Sequence, residues 1–270
     1  MHPLETLMEI AGFFAAFIIG ITLGLIGGGG SILTIPVLVY LFHIPPTIAT
    51  GYSLFIVGIS SLAGSYNSFR KGNIDMKAVL YFGITSIVTV VLIRRLLIPI
   101  IPEHLFNLGS FAVSRSFLTM ILLAVVMILA SFNMIYKPTP KRSHHTPDMH
   151  YGKALIRGVE IGILTGLLGA GGGFLIIPVL IFSFHLSMKK AIGTSLLIIA
   201  LNALFGFASD LSQYEIHWQL LLTLTAIAVA GTFVGNLLGL KIPGEKLKKG
   251  FGIFVLLAGC YIILHELFLK

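Results

Sequence analysis

Gly24-Leu-Ile-Gly-Gly-Gly-Gly-Ser-Ile-Leu-Thr-Ile-Pro36 returns 142 residues later as Gly166-Leu-Leu-Gly-Ala-Gly-Gly-Gly-Phe-Leu-Ile-Ile-Pro178. The same offset carries Gly27 onto Gly169, and Gly29 and Gly30 onto Gly171 and Gly172. Further on it carries His43 onto His185, and Ala49, Gly51 and Ser53 onto Ala191, Gly193 and Ser195. Each copy is a Gly-rich break inside an apolar run. Two halves with corresponding breaks are the pattern of a membrane protein built from repeats, with its site at the breaks.

Composition identifies the solvent. Of 270 residues, 56% are hydrophobic and only 10% are charged, with a mean hydropathy of +1.00. A soluble domain carries about a quarter charged residues. The sixty residues from Ile10 to Phe69 contain no Asp, Glu, Lys or Arg, and about 20 apolar residues suffice to cross a bilayer. An all-α, multi-pass protein of the cell (inner) membrane is expected. The net charge of +8 lies in short loops, where Lys and Arg report orientation and contact with anionic lipid. No nucleic-acid partner is implied. The first segment reads as a retained span, because Met1-His-Pro-Leu-Glu5 is not basic and no small-residue cleavage site closes a short apolar core. The lone Cys260 excludes an intrachain disulfide.

Apolar segments cover roughly 7–26, 31–42, 47–67, 76–93, 117–136, 154–169, 173–184, 189–209, 217–240 and 250–268. The Pro-rich, basic stretch 137–152 reads as a cytoplasmic linker between a first repeat, 1–136, and a second, 153–270. If the chain passes straight through each Gly cluster, the Lys and Arg of alternate loops divide 9 and 9. If it turns back at each cluster they divide 14 and 4, with the linker on the positive, cytoplasmic side. That tally places Arg94, Arg95 and Arg115 in one loop. Turning back also leaves an odd net number of crossings per half, so the halves are inverted. The segments 31–42 and 173–184 would each be roughly 18 Å long as helix, short for a hydrocarbon core of about 30 Å. Broken or re-entrant elements are expected.

A break inside the bilayer frees backbone N–H and C=O groups that lipid cannot satisfy. The clusters Gly27, Gly28, Gly29, Gly30 and Gly169, Gly171, Gly172, Gly173 are therefore read as substrate-binding, with Ser31. The N–H groups of 31–34 and 173–176 are expected to stand free at new helix starts, where an anion is bound without a formal cation. Ser53, Thr194 and Ser195 offer hydroxyl donors, and Asn202 a neutral amide. Ser195 is favoured over Ser53, because its copy carries the fuller Gly-Thr-Ser motif. Packing on neighbouring helices accounts for Gly20, Gly24, Gly162 and Gly166. Three or four adjacent glycines face all sides of a helix, which one packed face does not explain. His144, His145 and His150 lie in a solvated loop, and no metal or other cofactor is implied. There is no Walker loop, zinc-protease motif or nucleophile elbow, so an enzyme is not expected.

The two Gly-Pro motifs, Ala191-Ile-Gly-Thr-Ser195 and Ile242-Pro-Gly-Glu-Lys-Leu-Lys-Lys-Gly-Phe-Gly252 resemble the TauE/SafE family, also called the sulfite exporter family. The resemblance covers essentially the whole chain. It implies an inner-membrane permease for sulfite, organosulfonates or related small anions. The lipid bilayer is its other partner, and with no motor domain any active transport would draw on an ion gradient, proton or sodium, or on a partner. The chain departs from the family where Val90-Val-Leu-Ile-Arg-Arg95 replaces a Gly-rich third helix, and where Tyr52 stands opposite Thr194. A membrane enzyme or assembly factor holding a lipid or metabolite is the alternative, disfavoured because no paired acid and base lie near the breaks. The charge asymmetry predicts that a cysteine placed in 137–152 reacts with impermeant reagents only from the cytoplasmic side, and that both termini lie outside. A fusion after Lys270 that is active in the cytoplasm would refute this topology.

Overall fold

The computed structural model describes residues 3–108, 111–136, 151–211, 215–239 and 244–268. Helices α1 (Pro3–Ile26), α2 (Thr34–Tyr40), α3 (Pro46–Arg70), α4 (Met76–Ile100) and α5 (Arg115–Tyr136) form the first half. Helices α6 (Tyr151–Leu168), α7 (Gly173–Ser183), α8 (Met188–Asp210), α9 (Trp218–Leu238) and α10 (Gly244–Phe268) form the second. Among the described residues, six helices are long and apolar enough to cross a membrane. The protein is a multi-pass, all-α membrane protein. α3 and α8 are buried over 67% of their spans, against 33–39% for the other four, so these two form the centre. The outer helices turn apolar stripes outward, such as Ile84, Val88, Leu92 and Leu96 on α4. That i, i+4 spacing is one face of a helix, here the face offered to lipid.

The chain doubles back at each Gly cluster. After α1, Gly27 and Gly28 take φ of +70° and +125°, values that side-chain-bearing residues rarely adopt. A 3₁₀ turn, Gly29–Leu33, then leads into α2. Gly30 packs on Ile19 and Thr22, while Phe42 at the far end packs on Phe13 with ring centroids 5.6 Å apart. The pairs run in opposite directions, so α1 and α2 form an antiparallel hairpin. In the second half Gly169, Gly171 and Gly172 have φ of +67°, +66° and +68°, and Gly172 packs back on Ile161 and Thr165. The repeated histidines end these hairpins. His43 and His185 are left-handed, with φ of 52° and 50°. Ile44 N–H donates to the Leu38 carbonyl at 3.0 Å and Leu186 N–H to that of Leu180 at 3.2 Å, each bond reaching one residue further back than in a Schellman cap and closing the helix end over the left-handed histidine. These positions thus serve as helix stops.

Contacts in one half recur in the other with the partners exchanged. Gly64 of α3 lies against Leu196 and Thr232, and Gly206 of α8 against Leu54 and Val90. α3 and α8 therefore cross antiparallel, each presenting the same face. Gly20 and Gly24 of α1 press on the backbone of Ala228 and Thr232 in α9; Gly162 and Gly166 of α6 press on Ser86 and Val90 in α4. The first helix of each half thus packs on the fourth helix of the other. Small residues let these backbones approach closely.

Three features depart from the sequence reading. α4 continues through Arg94 and Arg95 to Ile100, so neither residue lies in a loop. A π-helical turn spans Ile93–Leu97, and the helix stops where Arg115 Nη1 donates to the carbonyls of Ile98 and Ile101 at 3.1 and 3.2 Å. Removing Arg94 and Arg95 from the loop tally sharpens the charge asymmetry. An antiparallel hairpin, β1 (His104–Leu108) and β2 (Phe111–Ser114), precedes α5; apolar periodicity does not reveal it. Of the linker, Tyr151 and Gly152 already belong to α6, and 137–150, with its three histidines, lies outside the described residues. Gly231 of α9 abuts the Phe17 carbonyl and Ile21 of α1, whereas no described residue approaches Gly152. Gly231→Val is expected to destabilise the protein by about 1–3 kcal/mol through overpacking, seen as a lower melting temperature in detergent, with Gly152→Ala unchanged.

Candidate functional site at the paired breaks

The two breaks meet. A methyl group added to Gly28 would lie 2.7 Å from Gly173 Cα, and one added to Gly173 would lie 2.6 Å from Gly28 Cα. Both glycines also touch Ile199 of α8, and Gly171 touches Val57 of α3 and Ile199. The breaks are thus pinned back to back against the crossing of α3 and α8. Gly27 sits on Ile192 near the start of α8, and Gly169 sits on Thr50 near the start of α3; these two positions correspond under the offset of 142. The contact leaves no room for an anion between Gly28 and Gly173. Chemistry falls to the polar groups on either side.

The expected free donors are largely occupied. Ser31 N–H and Ser31 Oγ both bond the Gly28 carbonyl, at 3.3 and 2.8 Å. Thr34 N–H bonds the Ser31 carbonyl, and the N–H groups of Leu175 and Ile176 share the Gly172 carbonyl at 3.0 and 3.1 Å. Tight turns satisfy these groups locally, as a bilayer demands.

On the Gly27 side, Ser195 Oγ donates to the Gly27 carbonyl at 2.7 Å and to the Ile192 carbonyl of its own helix at 2.9 Å. Its single proton is spent on backbone. Thr194 Oγ1 accepts from Asp75 N–H at 2.9 Å, where the chain enters α4. At the opposite end, Tyr52 Oη accepts from His217 N–H at 2.7 Å, where the chain enters α9. Thr194 with Asp75 and Tyr52 with His217 correspond under the offset, with the halves exchanged. Each end of the α3–α8 pair is thereby tied by one hydrogen bond to the opposite half.

On the Gly169 side, Ser53 is fully buried and its hydroxyl has no partner among the described residues. Ser60 and Ser61 are in the same condition. Thr50, Ser53, Val57, Ser60 and Ser61 share one face of α3 by helical spacing, and Val57 marks that face as the one against Gly171. Asn202, the counterpart of Ser60, donates Nδ2 to Ser86 Oγ at 2.7 Å, while its Oδ1 has no partner. Unpartnered buried hydroxyls are costly. Sequence reasoning set Arg94 aside, yet it lies beside the Gly169 break. Its guanidinium reaches Asp210 at 2.6 Å, with side-chain exposures of 3% and 1%. Its interruption of an apolar run was the available signal; the absence of a counterpart cation in the second half masked it.

Comparison with known proteins identifies the family. A family profile described as Sulfite exporter TauE/SafE matches residues 12–262. The chain belongs to the TauE/SafE family. A probable membrane transporter of Bacillus subtilis, YdhB, is 30% identical over 92% of this chain and 97% of its own. A probable membrane transporter of Xylella fastidiosa is 27% identical over 91% of each chain. A second from Bacillus subtilis, YunE, is 25% identical over 94% of this chain and 99% of its own. No solved structure matches. In this TauE/SafE protein the hydroxyls divide by partner. Ser195→Ala should cost about 1–3 kcal/mol, because the Gly27 carbonyl loses a buried donor, whereas Ser53→Ala should leave thermal stability unchanged. Equal melting temperatures for wild type and Ser195→Ala would refute the assignment.

Proposed function

We propose that this protein is a secondary transporter or facilitator of a small oxyanion, sulfite or an organosulfonate ahead of a simple carboxylate. Its two halves act as inverted repeats, 1–136 and 153–270, exposing the Gly-rich tips to alternate sides of the membrane. The observation that carries this reading is the exchanged pair of ties, Thr194 with Asp75 and Tyr52 with His217, on either side of the touching breaks. Releasing one tie opens one end of the α3–α8 pair while the other stays shut, as alternating access requires. The substrate class is inferred from hydroxyl donors and one cation, and from the sulfite exporters that give the family its description. Among the described residues the buried ionisable side chains are Arg94, Asp210 and Glu266, which does not suit paired acid–base catalysis.

Reconstitution in proteoliposomes with labelled sulfite, sulfoacetate and thiosulfate tests the substrate class. Gly171 is left-handed, and an added methyl would lie 2.9 Å from Val57. Gly171→Val is expected to abolish flux of the transported anion while the protein remains inserted. Wild-type flux in that variant would rule out the breaks as the moving site.

A further inference from the structure

Arg94 and Asp210 form an ion pair in the interior, and the scaffold does not need it. The offset of 142 carries Arg94 onto Asn236 and Asp210 back onto Ser68. At those positions the second set of helices packs in the same exchanged manner around neutral groups. A buried ion pair is also a poor source of stability, because desolvation offsets its Coulomb attraction. Asp210 is moreover the last residue of α8, where the helix dipole disfavours a carboxylate. Arg94 lies in the π-helical turn Ile93–Leu97, a distortion that α9 lacks and that tends to occur at functional sites.

The surroundings specify a ligand. Arg94 Nη1 bonds Asp210 Oδ2 and lies 3.4 Å from Thr50 Oγ1, whose own proton goes to the Thr47 carbonyl. A methyl group on Gly169 would lie 2.7 Å from Arg94 Nη2, so the guanidinium rests against the break itself. Ser53, one helical turn beyond Thr50, is fully buried, and its hydroxyl has no partner among the described residues. A planar fork of donors beside a free hydroxyl, in a site of low dielectric, suits an oxyanion. The oxyanion already there is the protein's own carboxylate.

We propose that Arg94, with Ser53, is the cationic subsite for the transported oxyanion on the Gly169 side, and that Asp210 is an internal surrogate which occupies it until substrate displaces the carboxylate. The inference rests on the transporter reading above. It makes the two ends of the pathway unequal, one of them holding a buried ion pair that the other lacks.

The test uses the purified full-length protein, with binding of sulfite, sulfoacetate and thiosulfate measured by calorimetry. Arg94→Gln is expected to weaken binding of the recognised anion at least tenfold. Asp210→Asn removes the competitor but keeps the shape, and is expected to bind at least threefold more tightly than wild type. If Asp210→Asn instead loses affinity as severely as Arg94→Gln, the pair is only structural and the proposal falls. Should either single variant fail to fold, the charge-exchanged protein R94D/D210R keeps the pair but moves the cation to α8. A folded exchange variant that has lost binding supports the subsite, and one that binds like wild type overturns it. Wild type that binds none of the three anions removes the transporter reading and this inference together. Wild-type binding that Arg94→Gln leaves unchanged removes the inference alone.

Discussion

Where Gly28 meets Gly173, two interrupted backbones touch with no side chain between them, and the surrounding architecture answers to that contact. A peptide group exposed inside a bilayer has no water to turn to, so each freed N–H and C=O must be matched within the protein. The turns supply part of the match through Ser31, Leu175 and Ile176. Ser195 supplies another part by reaching across from α8 to the Gly27 carbonyl. Left-handed glycines make the turns tight enough to fit, and the antiparallel crossing of α3 and α8 presses the tips together.

Polar groups are spread unevenly around this centre. On the Gly27 side Ser31, Thr194 and Ser195 are engaged with backbone. The Gly169 side has the ion pair and Ser53. Correspondence of backbone with divergence of side chains separates what the fold requires from what each end has been given to do. Glycines occupy matching positions because geometry demands them. Arg94 and Asp210 have no match, so geometry does not account for them.

The offset of 142 made much of this legible. It pointed to the left-handed glycine turns and to the positions of His43 and His185, since these are backbone events written in Gly, Pro and apolar period. It also related Tyr52 to Thr194 before their shared task of accepting a loop N–H was visible. What stayed hidden was pairing across the chain. Arg94 and Asp210 are 116 residues apart, and nothing local distinguishes an arginine ending a span from one buried within it. Ser195 looked like the better donor because its motif was fuller, yet whether its proton is free depends on the Gly27 carbonyl, 168 residues away. The β1–β2 hairpin went unread because its strands are short and bear no clear alternation.

The exchange of partners between halves has a consequence for biosynthesis. α1 leaves the ribosome among the first elements, but its closest neighbour along Gly20 and Gly24 is α9, about 200 residues later in the chain. At synthesis rates of about 5–20 residues per second, that is a wait of roughly 10–40 s. Throughout it, a helix surface shaped for close backbone contact faces lipid or a temporary partner. The halves therefore cannot mature one after the other as independent units. The first must remain unfinished in the membrane until the second arrives to interlock with it, which makes insertion of the final helices the step that commits the whole molecule to its fold.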